Sequence, residues 1–243
     1  MPSASPARSR AHWAGVPAAD RRAERRTLLL DAAFELLGTD GANGTTVRAV
    51  CQQARLNPRY FYESFDDLDS LVVAVYDRVI EALAADVWAA MDGTGADTRA
   101  AARAAIDSIV RFIDDDPRRG RVLYIEALGN EALNRRRIET GHSLVELVER
   151  DAVGRHGAPP QGEQIGRIGA AVLVGGFSEL LVARLEGRIT TPRSQLVDDA
   201  TELFLALGDA ALKIATARSK ATPSGRRTAR AAGARRARPH PAS

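Results

Sequence analysis

Apolar residues recur every three to four positions from about residue 21 to about residue 216, the spacing that gives a helix one buried face. In the first such segment, about 21 to 38, Leu29, Ala33, Leu36 and Leu37 share a face, and Gly38 and Gly41 end it. A longer segment, about 67 to 91, repeats Leu68, Leu71, Val72, Val75, Val79, Leu83 and Val87 behind Asp66, Asp67 and Asp69. Those acids suit the positive end of a helix dipole. Further helices are predicted at about 97 to 114, 118 to 129, 131 to 154, 163 to 187 and 193 to 216, separated by Pro117, Gly129, residues 157–162 and Pro192. With two short helices between the first and the long segment, about nine are expected. Short alternating runs bounded by turn signals do not occur, so the fold class is all-α.

The two short helices lie in Thr45-Thr46-Val47-Arg48-Ala49-Val50-Cys51-Gln52-Gln53-Ala54-Arg55-Leu56-Asn57-Pro58-Arg59-Tyr60-Phe61-Tyr62-Glu63-Ser64-Phe65. Thr45 is placed to cap the first, whose inward residues are Val47, Val50 and Cys51. Asn57 followed by Pro58 starts the second, because Asn is a strong N-cap and the ring of Pro presets the first helical residue. Phe61 and Phe65, four apart, anchor that helix and leave Arg59, Tyr60, Tyr62 and Ser64 outward. A helix-turn-helix reads DNA by setting such groups against base edges and phosphates. Read as scaffold alone, the same pair is a helical corner with solvated arginines.

Charge and composition sharpen this picture. The formal charge is +3, yet Arg218, Lys220, Arg226, Arg227, Arg230, Arg235, Arg236 and Arg238 follow residue 217 without an acid among them, so the remainder is mildly acidic. A tail of this kind is either a DNA tether or a solubilising segment. Cys51 is the one cysteine and His12, His142, His156 and His240 are scattered, so no metal and no cofactor is expected. No nucleophile elbow, phosphate-binding glycine loop or Glu-x-x-His pair occurs, which argues against an enzyme and leaves no catalytic residue to name. No apolar stretch of signal-peptide or membrane-span length appears, so a cytoplasmic location without membrane attachment is expected.

Residues 25 to 72 resemble the DNA-binding domain of the TetR/AcrR family of bacterial transcriptional regulators. The resemblance is carried by Leu29-Leu30-Asp31-Ala32-Ala33 with Leu36-Leu37, Gly41, Thr45-Thr46-Val47, Ala54 before Leu56, and Phe61-Tyr62 with Phe65 and Leu71. It implies that Asn57 through Ser64 form the recognition helix, with Arg59 and Tyr60 contacting bases and Thr46, Tyr62 and Ser64 contacting phosphates. Arg48 and Arg55 suit either target, since a guanidinium binds guanine bidentately or clamps a phosphate. The chain departs from the family where Arg55 replaces a common turn glycine, Ser64 a frequent histidine and Leu68 a common phosphate-binding lysine. Arg21, Arg22, Arg25 and Arg26 are placed to supply the missing charge from a basic arm.

The expected organisation is an arm over 1–19, a DNA-binding domain over 20–66, a helical ligand-binding and dimerisation domain over 67–217 and a basic tail over 218–243. By resemblance the last two long helices form a four-helix dimer interface, to which Ile165, Ile168, Val172, Phe177, Leu180, Leu181, Leu196, Leu203, Phe204 and Leu207 are suited. Gly166, Gly169, Gly175 and Gly176 inside the eighth helix point to close helix packing, since each costs roughly 1 kcal/mol there against alanine. Ile109, Phe112, Ile113, Tyr124, Leu144 and Phe177 are the candidate lining of a small-molecule pocket; any of them also serves as ordinary core. The expected function is a ligand-responsive repressor that binds a near-palindromic operator as a homodimer; an activator or a ligand-independent architectural DNA-binding protein is the alternative.

Overall fold

The computed structural model describes residues 18–156 and 163–221. Helix α1 is Ala18–Thr39, and a single helical turn at Gly41–Gly44 leads to α2 (Val47–Gln53) and α3 (Pro58–Tyr62). The long α4 (Leu68–Met91) then leads into α5 (Thr98–Asp115). The stretch α6 combines Pro117–Gly120, a π-wound turn Arg121–Ile125 and Glu126–Gly129. Helices α7 (Glu131–His156), α8 (Glu163–Leu185) and α9 (Arg193–Ala221) complete the described residues, which contain no strand. The order is the predicted one, but α1 begins inside the expected arm and α9 runs into the expected tail. Residues 1–17 and 222–243, with most of the predicted arm and tail, lie outside the described residues.

Caps account for several boundaries. The Asp67 carboxylate accepts from Ser70 N at 2.7 Å while Ser70 Oγ lies 3.3 Å from Asp67 N, a capping box that starts α4. Asp97 accepts from Ala100 N and Asp116 from Arg118 N, which starts α5 and α6. One apolar core runs through both halves of the molecule. Leu29, Ala33, Leu37, Val50 and Phe61 meet Leu71 and Val75 of α4, whose continuation through Val79 and Leu83 joins Ile106, Val110 and Leu123. Helix α1 packs both on α4 and on the two short helices, so a shift of α4 reaches those helices through α1.

Two faces of the last helices stay uncovered. On α8, Ile168, Val172, Gly175 and Gly176 fall on one stripe and are exposed. On α9, Leu203 is 70% exposed and Ile214 also faces outward. By contrast Leu181 and Leu196 are buried within the chain, and Phe177 meets Phe204 edge-on at 5.5 Å, so these four are internal core rather than interface. Within the chain, a Cβ on Gly169 would meet Ala211 Cβ at 3.5 Å, whereas one on Gly166, Gly175 or Gly176 would meet nothing within 4 Å. By length and composition Gln164–Leu185 would also pass for a membrane-crossing helix, although Arg167, Glu179 and Arg184 interrupt it.

Candidate nucleic-acid interface

The cap of α2 is Thr46, one residue later than predicted. Its Oγ1 accepts from Ala49 N at 3.1 Å, whereas Thr45 is buried and donates its hydroxyl to Gly41 O at 2.9 Å. The reason is steric: Val47 must begin the helix to bury Val50 and Cys51, so the extended residue before it is Thr46, at φ −123° and ψ 157°. After α2 the chain turns through Arg55, at φ 54° the only non-glycine residue with positive φ among the described residues. Arg55 N donates to Gln52 O and Leu56 N to Cys51 O, which closes α2. This left-handed position explains why a glycine would suit the turn.

Asn57 and Pro58 restart the helix as the sequence predicts. Asn57 Oδ1 accepts from Arg59 N at 2.9 Å, and Pro58 occupies the first turn. Phe61 and Phe65 are buried with ring centroids 5.9 Å apart. Arg59, Tyr60 and Tyr62 project outward, Tyr62 being 63% exposed. Thr46 and Arg48 at the start of α2, Arg55 in the turn and Asn57 at the cap are exposed as well. Ser64 differs from the expectation: its Oγ is buried without a hydrogen-bond partner, and its carbonyl receives Arg26.

The arginines of α1 do something the sequence reading missed. Arg22 donates to Glu63 O, and Arg26 to Ser64 O at 2.9 Å, so both satisfy main-chain acceptors just past α3. Arg25 lies 3.2 Å from the Glu63 carboxylate and 4.5 Å over the Tyr60 ring, while Arg26 lies 4.2 Å over Phe65. Arg59 reaches the other Glu63 oxygen at 3.2 Å. These side chains brace α3 from behind rather than hanging as a flexible arm. Their spacing held the clue, since positions 22, 25, 26 and 29 share one helical face and Leu29 is core.

At the opposite side of α1, α6 holds the two halves together. Glu126, whose side chain is nearly buried, accepts from Ala42 N at 2.8 Å and pairs with Arg121 at 2.7 Å. Arg118 pairs with Glu35 and with Asp116, and its guanidinium holds the Asp116 carboxyl below the usual range. Arg118 also lies 5.2 Å over Phe34.

Of the pocket candidates, Phe112 and Ile113 are buried core, with Arg119 4.3 Å over the Phe112 ring. Ile109, Tyr124 and Phe177 are half-buried and packed against the core that runs through the molecule. Leu144 does not join them: it is 40% exposed on α7. Cys51 is buried, which pushes its thiol pKa up. Among the described residues no three His, Cys, Asp or Glu side chains gather as a metal site would require.

Residues 29–75 match the family model described as bacterial regulatory proteins, tetR family. No curated protein is similar enough in sequence to match the chain. Solved structures share its fold. A TetR-like transcriptional regulator from Rhodococcus sp. RHA1 aligns with a TM-score of 0.57 and 21% identity over 78% of this chain and 96% of its own. The fatty acid degradation regulator FadR from Bacillus halodurans gives 0.63 and 14% over 74% and 94%. The multidrug binding protein EbrR, complexed with imidazole, gives 0.58 and 20% over 75% and 94%. The family model thus covers the helix-turn-helix, and the helical domain behind it has the fold of these solved structures.

Proposed function

We propose that the chain is a cytoplasmic, ligand-responsive repressor that binds a near-palindromic operator as a homodimer. The observation that carries this reading is the outward face of α3, where Arg59, Tyr60 and Tyr62 are exposed on a short helix braced from behind by Arg22, Arg25 and Arg26. Arg59 and Tyr60 read base edges. Thr46, whose hydroxyl still has its proton to donate, and Tyr62 grip phosphates with Asn57, and Arg48 and Arg55 reach bases or backbone from the flanks. Ser64 contributes through its position at the end of the helix rather than through its buried hydroxyl.

Dimerisation covers the apolar stripes of α8 and α9. The open glycines Gly175 and Gly176 let a partner helix approach closely, and so give these positions a use that packing within the chain does not. A two-fold dimer must set its recognition helices about one turn of DNA, roughly 34 to 36 Å, apart. A small molecule held by the helical domain, near Ile109, Tyr124 and Phe177, shifts α4 and changes that separation, which releases the operator. EbrR, of the same fold and solved with imidazole, supports the idea of a small-molecule site.

The test is selection from a random duplex library by the purified full chain at physiological salt. A two-fold symmetric consensus is the expected result. Enrichment of no sequence, with only salt-labile binding, would mean that the helix-turn-helix is scaffold here and that the basic termini hold DNA without reading it.

A further inference from the structure

The adjacent arginines on α7 are treated differently by their surroundings. Arg136 is fully engaged, with Nε 2.5 Å from Asp77 and Nη1 3.3 Å from Glu139. Arg137 has no carboxylate partner among the described residues. Its Nε is buried without an acceptor, and its one hydrogen bond reaches Asn134 Oδ1 at 3.5 Å, the outer limit for such a contact. Arg137 itself is half-buried, but a buried Nε–H left this way is costly unless an acceptor completes it.

What faces Arg137 is polar. Its charge bears on two phenols, Tyr76 of α4 and Tyr124 in the π-wound turn of α6, and favours ionisation of each. Burial nonetheless dominates and pushes both phenols above their ordinary range, so both hydroxyls keep their protons and act as donors. Thr140 stands beside Tyr76, and the nearby Asp77 carboxylate is already committed to Arg136. Tyr124 as a whole is half-buried. The helical domain also holds half-buried apolar residues packed on the core: Ile109 on α5, and Phe177 on α8 with Phe204 set against it.

We propose that Arg137, with the hydroxyls of Tyr76 and Tyr124, forms the anion-binding end of the effector site, and that the effector is an amphipathic small molecule bearing a carboxylate or another compact anion on an apolar body. This rests on the reading of the chain as a ligand-responsive regulator and deepens it. The guanidinium pairs with the anionic head, the two phenols donate to its remaining oxygens, and the apolar body lies toward Ile109 and Phe177. The three polar groups come from α4, α6 and α7, so a bound anion ties together the helix that carries the DNA-binding domain and the stretch that clamps Ala42.

The test compares full-length wild type with Arg137→Gln, Arg137→Met and Tyr124→Phe by thermal shift and calorimetric titration. The probes are matched sets: decanoate, decyl phosphate and decanol, and 4-butylbenzoate with 4-butylbenzyl alcohol. Wild type is expected to bind the anions at least tenfold more tightly than the matched alcohols, and the Arg137 variants to lose that preference while binding the alcohols unchanged. Tyr124→Phe should weaken the anions several-fold. Preference for decanoate over decyl phosphate, or the reverse, identifies the head. Without probe, Arg137→Met should melt no lower than wild type, because it removes an unpaired buried charge. Equal response to anions and alcohols, no response of wild type to any anion, or an undiminished preference in the Arg137 variants overturns the assignment. Failure to select any duplex would instead defeat the regulator reading and leave the anion comparison standing by itself.

Discussion

Arg55 shows how one side chain carries two demands at once. At φ 54° it occupies a conformation that costs an L-residue about 1–2 kcal/mol, while its side chain is exposed beside the proposed DNA-reading face. Arg55→Gly should raise the stability of the chain by about 0.5–1 kcal/mol, since part of the relieved strain is offset by the entropy glycine gains on unfolding. Urea denaturation measures this. Arg55→Ala keeps the strain and removes the charge, so it should leave stability nearly unchanged while weakening operator binding, which separates the two demands. On α3, Arg59→Ala and Tyr60→Ala should each relax sequence preference by about 1–3 kcal/mol at the base concerned. Repeating the duplex selection with each variant checks this, and an unaltered consensus from both would remove these two residues from the reading face. Glu63 illustrates local compensation: its carboxylate on the DNA-facing motif is held by Arg25 and Arg59 and does not stand alone against phosphate.

Among the elements, α6 sets how the halves are joined. The π-wound turn precedes Glu126, whose carboxylate bridges Ala42 N and Arg121. Gly41 lies beneath it at φ 76°, where a Cβ would come within 2.8 Å of Glu126 Oε2, so the close approach of the two segments requires glycine. Glu126→Ala should cost about 2 kcal/mol, because it strands an amide and a guanidinium that are hydrogen-bonded to a charge in the native chain. Equilibrium denaturation would show the loss, and hydrogen exchange at Ala42 would show where it falls. Glu126→Gln retains an acceptor for Ala42 and should recover part of the stability. The pair Arg118–Asp116 adds a pH dependence in the same place. The Asp116 carboxyl is held below its unfolded value by Arg118, so its contribution is present above the ordinary carboxylate range and is lost as pH falls through the lowered value.

At the scale of the whole molecule, the proposed dimer through the uncovered stripes of α8 and α9 makes function a property of two copies. Leu203→Asp places a charge at a position exposed in the single chain. It should leave helicity unchanged by circular dichroism, convert the dimer to monomer by light scattering, and reduce operator affinity at least a hundredfold by the loss of simultaneous half-site binding. A variant that stays dimeric would move the interface elsewhere.

The sequence by itself determined the helical fold of the described residues, the order of their helices, and the short helix Pro58–Tyr62, because these follow from local rules: periodicity, the Asn57-Pro58 cap, and the paired anchors Phe61 and Phe65. It also placed Arg59, Tyr60 and Tyr62 outward, since a five-residue helix pinned at two aromatic positions leaves little choice. Tertiary structure decided whatever depends on partners distant in sequence. It turned Arg22, Arg25 and Arg26 into a brace on α3 across about forty residues, and turned Ser64 inward. It divided the apolar residues of α8 and α9 into core and uncovered face, paired Glu126 with Ala42, and left Arg137 without a carboxylate while Arg136 took two. Helical spacing says which residues share a face, but only the packing of one helix against another says what that face meets.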